Sequence, residues 1–423
     1  MTRVARILGA WAALVLSAGV FAQMRPTLPP PSGPLAVGRM TYYWTDSARA
    51  ETSSRPEGAR REIKVHVWYP AAPAQAPRPT VTYIESLPSV TQVVPRQALE
   101  GLFRPASHAV LEQSLPATHT IEGAAMPATR DKYPVLLFSH GLGNISELYT
   151  AEIEDLVSHG YVVAAINHTY DAAFVVFPGD RVVAYARQTW QDESQKPNGY
   201  IQHVRKRLEE AWVPDLRFVL GQLERLDAAP SSPFSGRLDL TRVGAFGHSM
   251  GGLAVVRACQ LESRLLACMN QDADIAGSPF IEQNGESLRQ PLLFFTAATS
   301  NVFRESFVRP SDQALKQMNT TRAQYDADVR RVQQNQNIAL GSVKGGAYRV
   351  YIDIPSFVHR TFSDLTLLTT HESQNSESMG NFRIAQSYTR AFFDKHLKGQ
   401  QNTVLDATSS SDGRVRVDRW PTR

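Results

Sequence analysis

The hydrophobic pattern changes texture at residue 133. From there six short, mainly apolar runs recur, at 134–139, 161–166, 243–246, 265–269, 292–295 and 348–354. Runs of this length without polar alternation suit strands buried on both faces of a parallel sheet. Stretches compatible with helix separate several of them, at 147–158, 203–226, 250–261 and 382–397. Strand–helix alternation on this scale predicts one α/β domain with a mostly parallel central sheet flanked by helices. Upstream, Ile63, Val65, Val67 and Tyr69 alternate with other residues, which predicts a half-buried first strand over 61–69, near a sheet edge.

The rest of the chain departs from that rhythm. Residues 84–130 carry scattered prolines and no strong period, as in a loop-rich excursion with one short helix. Two further excursions, 171–202 and 300–346, leave the carboxyl edge of the sheet, where ligands bind in open α/β folds. Each is either a roof over a pocket or a surface decoration. Pro26, Pro29, Pro30, Pro31 and Pro34 make 23–36 an extended linker, and the polar, Ser-rich stretch 400–423 reads as a loose tail. The expected domain is therefore 37–399.

Composition narrows this further. With 423 residues, 43% of them hydrophobic, the chain can fill a large core. The formal net charge of +4 contains no basic block, which excludes nucleic acid as a partner. Arg3 and Arg6, a short apolar run over 7–20 and the small-residue site ending at Ala22 predict a signal peptide over 1–22. The mature chain would begin near Gln23 and be secreted or periplasmic; the rival reading is an uncleaved anchor. Export permits a disulfide between Cys259 and Cys268, with two buried thiols as the alternative, and the spacing makes no zinc pattern.

The chemistry centres on Gly247-His248-Ser249-Met250-Gly251-Gly252. G-x-S-x-G by itself is weak. Here an apolar strand ends at Gly247 and a helix-compatible run starts at Met250, the strand–turn–helix setting that raises a serine hydroxyl above a sheet. Ser249 is the candidate nucleophile. Ser139-His140-Gly141-Leu142-Gly143 follows another apolar strand and can aim a backbone N–H at the reacting carbonyl, with Met250 N–H as the second donor. Leu142 is assigned the first donor and His140 a structural role. In this arrangement an acid and then a histidine follow the serine. Of His359, His371 and His396, only His359 stands just after the last apolar strand. Asp272 leads as the acid and Asp274 stands second, both following the run 265–269. No metal or organic cofactor is required.

These residues resemble one family. Trp68-Tyr69-Pro70, Phe138 to Gly143 with Leu148-Tyr149, Ser158-His159-Gly160-Tyr161, the Ser249 motif, Asp272-Ala273, and Val358-His359 with Phe362 and Asp364 occur in order. The set is similar to the plasma-type platelet-activating-factor acetylhydrolases, also called group VII phospholipases A2, and their bacterial relatives. The resemblance runs over roughly 60–398. It implies an α/β-hydrolase fold with excursions over the pocket, the triad Ser249, Asp272 and His359, and Leu142 and Met250 as oxyanion donors. Met250 departs from it, standing where the family often has an aromatic residue, and the 300–346 excursion is longer than expected.

The expected function is a secreted serine carboxylic-ester hydrolase acting through an acyl-enzyme. The resemblance implies short-chain or oxidised-phospholipid-type esters, transient contact with a lipid surface and no obligate protein partner. A polyester- or cutin-type hydrolase or a serine peptidase could use the same elbow, because a fold does not decide a substrate. A non-catalytic binding protein on this fold is the rival of another class.

Overall fold

The computed structural model describes residues 28–53, 58–73, 79–103, 115–129, 131–273, 288–297, 312–317, 320–368, 372–410 and 413–423. Residues 1–27, Asp274 and His371 lie outside them, as do 298–311 of the second excursion.

Twelve strands are described: β1 (Ala36–Ala50), β2 (Arg60–Ala71), β3 (Thr120–Glu122), β4 (Tyr133–Ser139), β5 (Val162–Asn167), β6 (Phe174–Phe177), β7 (Arg181–Ala184), β8 (Leu238–His248), β9 (Leu265–Gln271), β10 (Leu292–Ala297), β11 (Ala347–Ile352) and β12 (Val415–Trp420). Ten form one sheet in the order β12-β11-β10-β9-β8-β4-β5-β2-β1-β3, and β6 and β7 pair separately. From β5 through β11 every neighbouring pair is parallel. All seven residues of β4 are buried, as an uninterrupted apolar run covered on both faces requires. One face packs under helices Thr150–Ser158 and Glu372–Lys398, the other under Val213–Ala228 and Met250–Leu261.

Three expectations are corrected. The strand over 61–69 is neither first nor half-buried: β1 precedes it, and β2, third from the β3 edge of the sheet, runs buried between β1 and β5. Its alternation misleads because both faces are covered. The stretch 400–423 is not simply loose, since β12 pairs antiparallel with β11 from Val415 to Trp420 and closes the sheet. The described part of 300–346 forms the helices Asp312–Gln317 and Arg322–Gly341, and the second puts Ala339 and Leu340 into the core on the face of helix Met250–Leu261, as a crossover between β10 and β11. The Pro-rich segment is also docked over its described part. Ser32 N–H and Oγ both donate to Asp155 Oδ1, and Leu35 N–H donates to the Ser158 carbonyl. Cys259 and Cys268 are joined in a disulfide between helix Met250–Leu261 and β9.

Candidate active site

The parallel strands end at one level. Ser139 of β4 is in register with Gly247 of β8, and His248 of β8 with Gln271 of β9. At that edge β8 turns directly into helix Met250–Leu261 through Ser249, whose φ of 55° and ψ of −126° are unusual for a residue with a side chain. The turn is possible only because of its glycines. A Cβ at Gly247 would overlap the backbone of Gly251, and one at Gly251 would overlap the Ser139 carbonyl oxygen. The Ser249 N–H donates to the Gln271 carbonyl at 2.9 Å, which ties the elbow to the end of β9.

Asp272 comes next after Gln271 and is itself in the left-handed region, at φ 62°. The turn that carries it is folded by Asn270, whose Oδ1 accepts the Ala273 N–H at 2.8 Å. Opposite stands His359, opening the short turn His359–Phe362 beyond β11. Asp272 Oδ2 lies 2.7 Å from His359 Nδ1. His359 and Ser249 line the same cavity, although no hydrogen bond joins their side chains among the described residues. Catalytic hydrogen bonds of this kind are often long until substrate binds.

Of the two donors expected, Leu142 lies in the cavity wall and nothing among the described residues accepts its N–H. Met250 is the first helical residue, so its N–H has no carbonyl one turn back within the helix. His140 is buried away from the cavity. Its Nδ1 lies 2.7 Å from the Gly141 carbonyl and its Nε2 accepts the His168 N–H.

The cavity measures about 1010 Å³. The excursion 171–202 contributes Ala173, Ala184, Tyr185, Arg187 and Gln191 to its wall. Another part of the wall comes from helix Arg96–Phe103 and from Val94 and Pro95, which join it to the preceding helix Leu87–Val93, where 84–130 was expected to hold only one short helix. Leu99 and Leu102 present an apolar surface there. No described residue of 300–346 reaches the cavity. Arg187 and Arg360 line it, and no carboxylate among the described residues does. Among the described residues, no group of three or more His, Cys, Asp or Glu side chains is disposed to hold a metal ion.

Two buried clusters beneath the site have no counterpart in the sequence reading. Glu152 accepts hydrogen bonds at Oε1 from Gln271 Nε2 and Thr389 Oγ1, both at 2.8 Å, and burial pushes its carboxyl up to about 7. Ser139 Oγ lies 2.8 Å from His168 Nε2, whose Nδ1 lies 3.0 Å from Asp215 Oδ2. This second Ser–His–Asp chain is completely buried. Burial disfavours the Asp215 carboxylate, but Arg61 at 2.6 Å outweighs it and keeps Asp215 well below the usual range.

A strained serine between β8 and its helix, with an acid–histidine pair facing it at the carboxyl edge of a parallel sheet, defines the α/β-hydrolase class. The family model of platelet-activating factor acetylhydrolase, isoform II, matches residues 20–412, and the chain belongs to that family. It is 28% identical to the platelet-activating factor acetylhydrolase of Cavia porcellus over 44% of this chain and 46% of the relative. The enzyme of that name from Canis lupus familiaris is 25% identical, over 57% and 50%. A probable 1-alkyl-2-acetylglycerophosphocholine esterase of Arthroderma benhamiae is 27% identical, over 66% and 64%. The chain thus spans about half the length of the first curated relatives it matches. Among solved structures, a ferulic acid esterase from Streptomyces cinnamoneus superposes with a TM-score of 0.66 at 25% identity, covering 93% of this chain and 99% of the other.

Proposed function

We propose that the chain is a carboxylic-ester hydrolase that works through an acyl-enzyme on Ser249. The observation that carries this is the 2.7 Å contact of Asp272 with His359, whose side chain lines the cavity that also holds the strained Ser249. Ser249 Oγ attacks the ester carbonyl and His359 Nε2 takes its proton, then returns it to the leaving alcohol. Asp272 holds His359 with its proton on Nδ1 and stabilises the imidazolium. The N–H groups of Leu142 and Met250 receive the oxyanion, so no metal is needed to polarise the carbonyl. Water then hydrolyses the acyl-enzyme by the same route in reverse.

Substrates are esters with a short or oxidised acyl chain, of the phospholipid type. The family supports this, as does a cavity with two arginines and leucines on its described wall. The likeness to a ferulic acid esterase over nearly the whole chain favours a second reading, esters of hydroxycinnamic acids. Export is part of the proposal, supported by residues 1–22 and by the disulfide.

The test is kcat/KM for p-nitrophenyl acetate, butyrate, octanoate and palmitate, for a 2-acetyl phospholipid and for methyl ferulate, each with and without EDTA. Activity should be unchanged by EDTA and greatest on the short chains and the acetyl phospholipid. A rise toward palmitate, or a preference for methyl ferulate, would displace the phospholipid reading. Ser249→Ala should lose at least about 10⁴-fold in kcat, and a smaller loss with native circular dichroism would remove Ser249 from its role.

A further inference from the structure

The geometry points to Tyr149 as a positioning residue, whose one hydroxyl joins the turn carrying Leu142 to the histidine preceding Ser249 and fixes that histidine as its Nε2–H form beside His359. Tyr149 ends the short turn Ser146–Tyr149 and is completely buried, its ring packed on Phe138 of β4 at 4.6 Å between centroids. Its hydroxyl oxygen accepts the Gly141 N–H at 3.1 Å and an Asn144 Nδ2–H at 2.9 Å. Those two bonds use both lone pairs. The hydroxyl proton is left for the third neighbour, His248 Nδ1, at 2.8 Å. His248 therefore accepts at Nδ1, and its own proton sits on Nε2.

Both partners adjoin the chemistry proposed above, on which this inference rests. The Gly141 bond sets the peptide just before the Leu142 N–H. That turn sits tightly on the elbow, since a Cβ at Gly141 would come within 3.1 Å of His248 Nδ1 and 3.4 Å of Ser249 Cβ. His248 precedes Ser249, and its ring centroid lies 4.4 Å from that of His359. His359 must carry a positive charge as Ser249 attacks, and a second imidazolium at that distance would oppose it. His248 stays neutral because burial, followed by repulsion from His359, holds it well below the usual range for histidine. The titratable side chains facing it are Tyr149, His359 and His140. The Tyr149 bond at Nδ1 selects the tautomer.

The test compares Tyr149→Phe with Tyr161→Phe, which removes an equally buried hydroxyl bond, from Tyr161 to Asp394 at 2.8 Å, away from the cavity. Tyr149→Phe should lower kcat 10- to 100-fold on p-nitrophenyl butyrate with KM within twofold. Tyr161→Phe should stay within threefold of wild type with a similar loss of Tm. Nitrogen-15 spectra of the histidine rings should show wild-type His248 as a single Nε2–H tautomer that does not titrate between pH 5.5 and 8. A kcat for Tyr149→Phe within threefold of Tyr161→Phe would overturn the inference. So would an Nδ1–H or charged His248 in the wild type, a measurement that holds even if Tyr149→Phe does not fold. Hydrolysis surviving in Ser249→Ala would strike the acyl-enzyme reading instead, and the ring spectra still decide the Tyr149 bond.

Discussion

His359 Nδ1 lies 2.7 Å from Asp272 Oδ2, across 87 residues of sequence. Asp272 is almost wholly buried, while the His359 side chain is about one-third exposed, at 35%. The carboxylate thus takes the inner nitrogen of the ring and leaves Nε2 to the cavity. This orientation follows from the order of the parallel strands, since β9 and β11 both deliver their loops to the edge where β8 delivers Ser249.

The acid can be separated from its neighbour in the sequence. Asp272→Asn should lower kcat by about 10³- to 10⁴-fold, because an amide cannot hold the same histidine tautomer. Asp274→Asn should cost far less. Parallel kinetics on the two variants decide, and the reverse order would move the acid to Asp274.

The cavity residues Ser249, His359 and Asp272 and the buried Ser139–His168–Asp215 chain should respond differently to a covalent probe. Fluorophosphonate should label the wild type once, and Ser249→Ala not at all. Ser139→Ala should still label, because Ser139 is completely buried and its hydrogen-bonded histidine faces the interior. Its activity should fall by less than tenfold, through a looser β4 terminus. Loss of labelling in folded Ser139→Ala would contradict this assignment.

Glu152 gives stability a pH dependence. Its carboxyl is pushed up to about 7 in the folded chain, above the ordinary value of 4.5, so the folded state binds the proton more tightly. Its contribution is whole below about pH 4.5, falls as pH rises toward 7 and is gone above that. Glu152→Gln keeps an oxygen for Gln271 and Thr389 but does not ionise. Its Tm should decline less than the wild type's between pH 5 and 8, with a relative gain on the order of 1–3 kcal/mol at pH 8. Parallel Tm profiles for the two proteins would show that Glu152 does not titrate there.

The Cys259–Cys268 disulfide closes a loop of sequence separation 9. Denatured, unreduced protein should show no free thiol. Cys259→Ser with Cys268→Ser should cost about 2–3 kcal/mol, chiefly by freeing the unfolded chain. Because the bond ties the helix after Ser249 to the strand leading to Asp272, kcat is worth following alongside Tm.

What the sequence determines by itself is local. Continuous apolar runs mark β4, β5, β8, β9, β10 and β11, because a strand covered on both faces must be apolar throughout. The elbow is legible for the same reason: Gly247 and Gly251 are demanded by atoms only a few residues away or on the adjoining strand. The order of Ser249, Asp272 and His359 is readable because chain order sets strand order. Tertiary structure decides the rest. Nothing in the spacing tells Ser139, His168 and Asp215 from an open site; only burial does. The same holds for Glu152 and Tyr149, whose partners Thr389 and His248 are brought to them by packing between distant segments. The wall formed by 94–102 carries no strong period, since short helices bury too few turns to leave one. The strand β12 escapes notice because an edge strand with one partner tolerates Arg416, Asp418 and Arg419, and only its pairing with β11 makes it a strand.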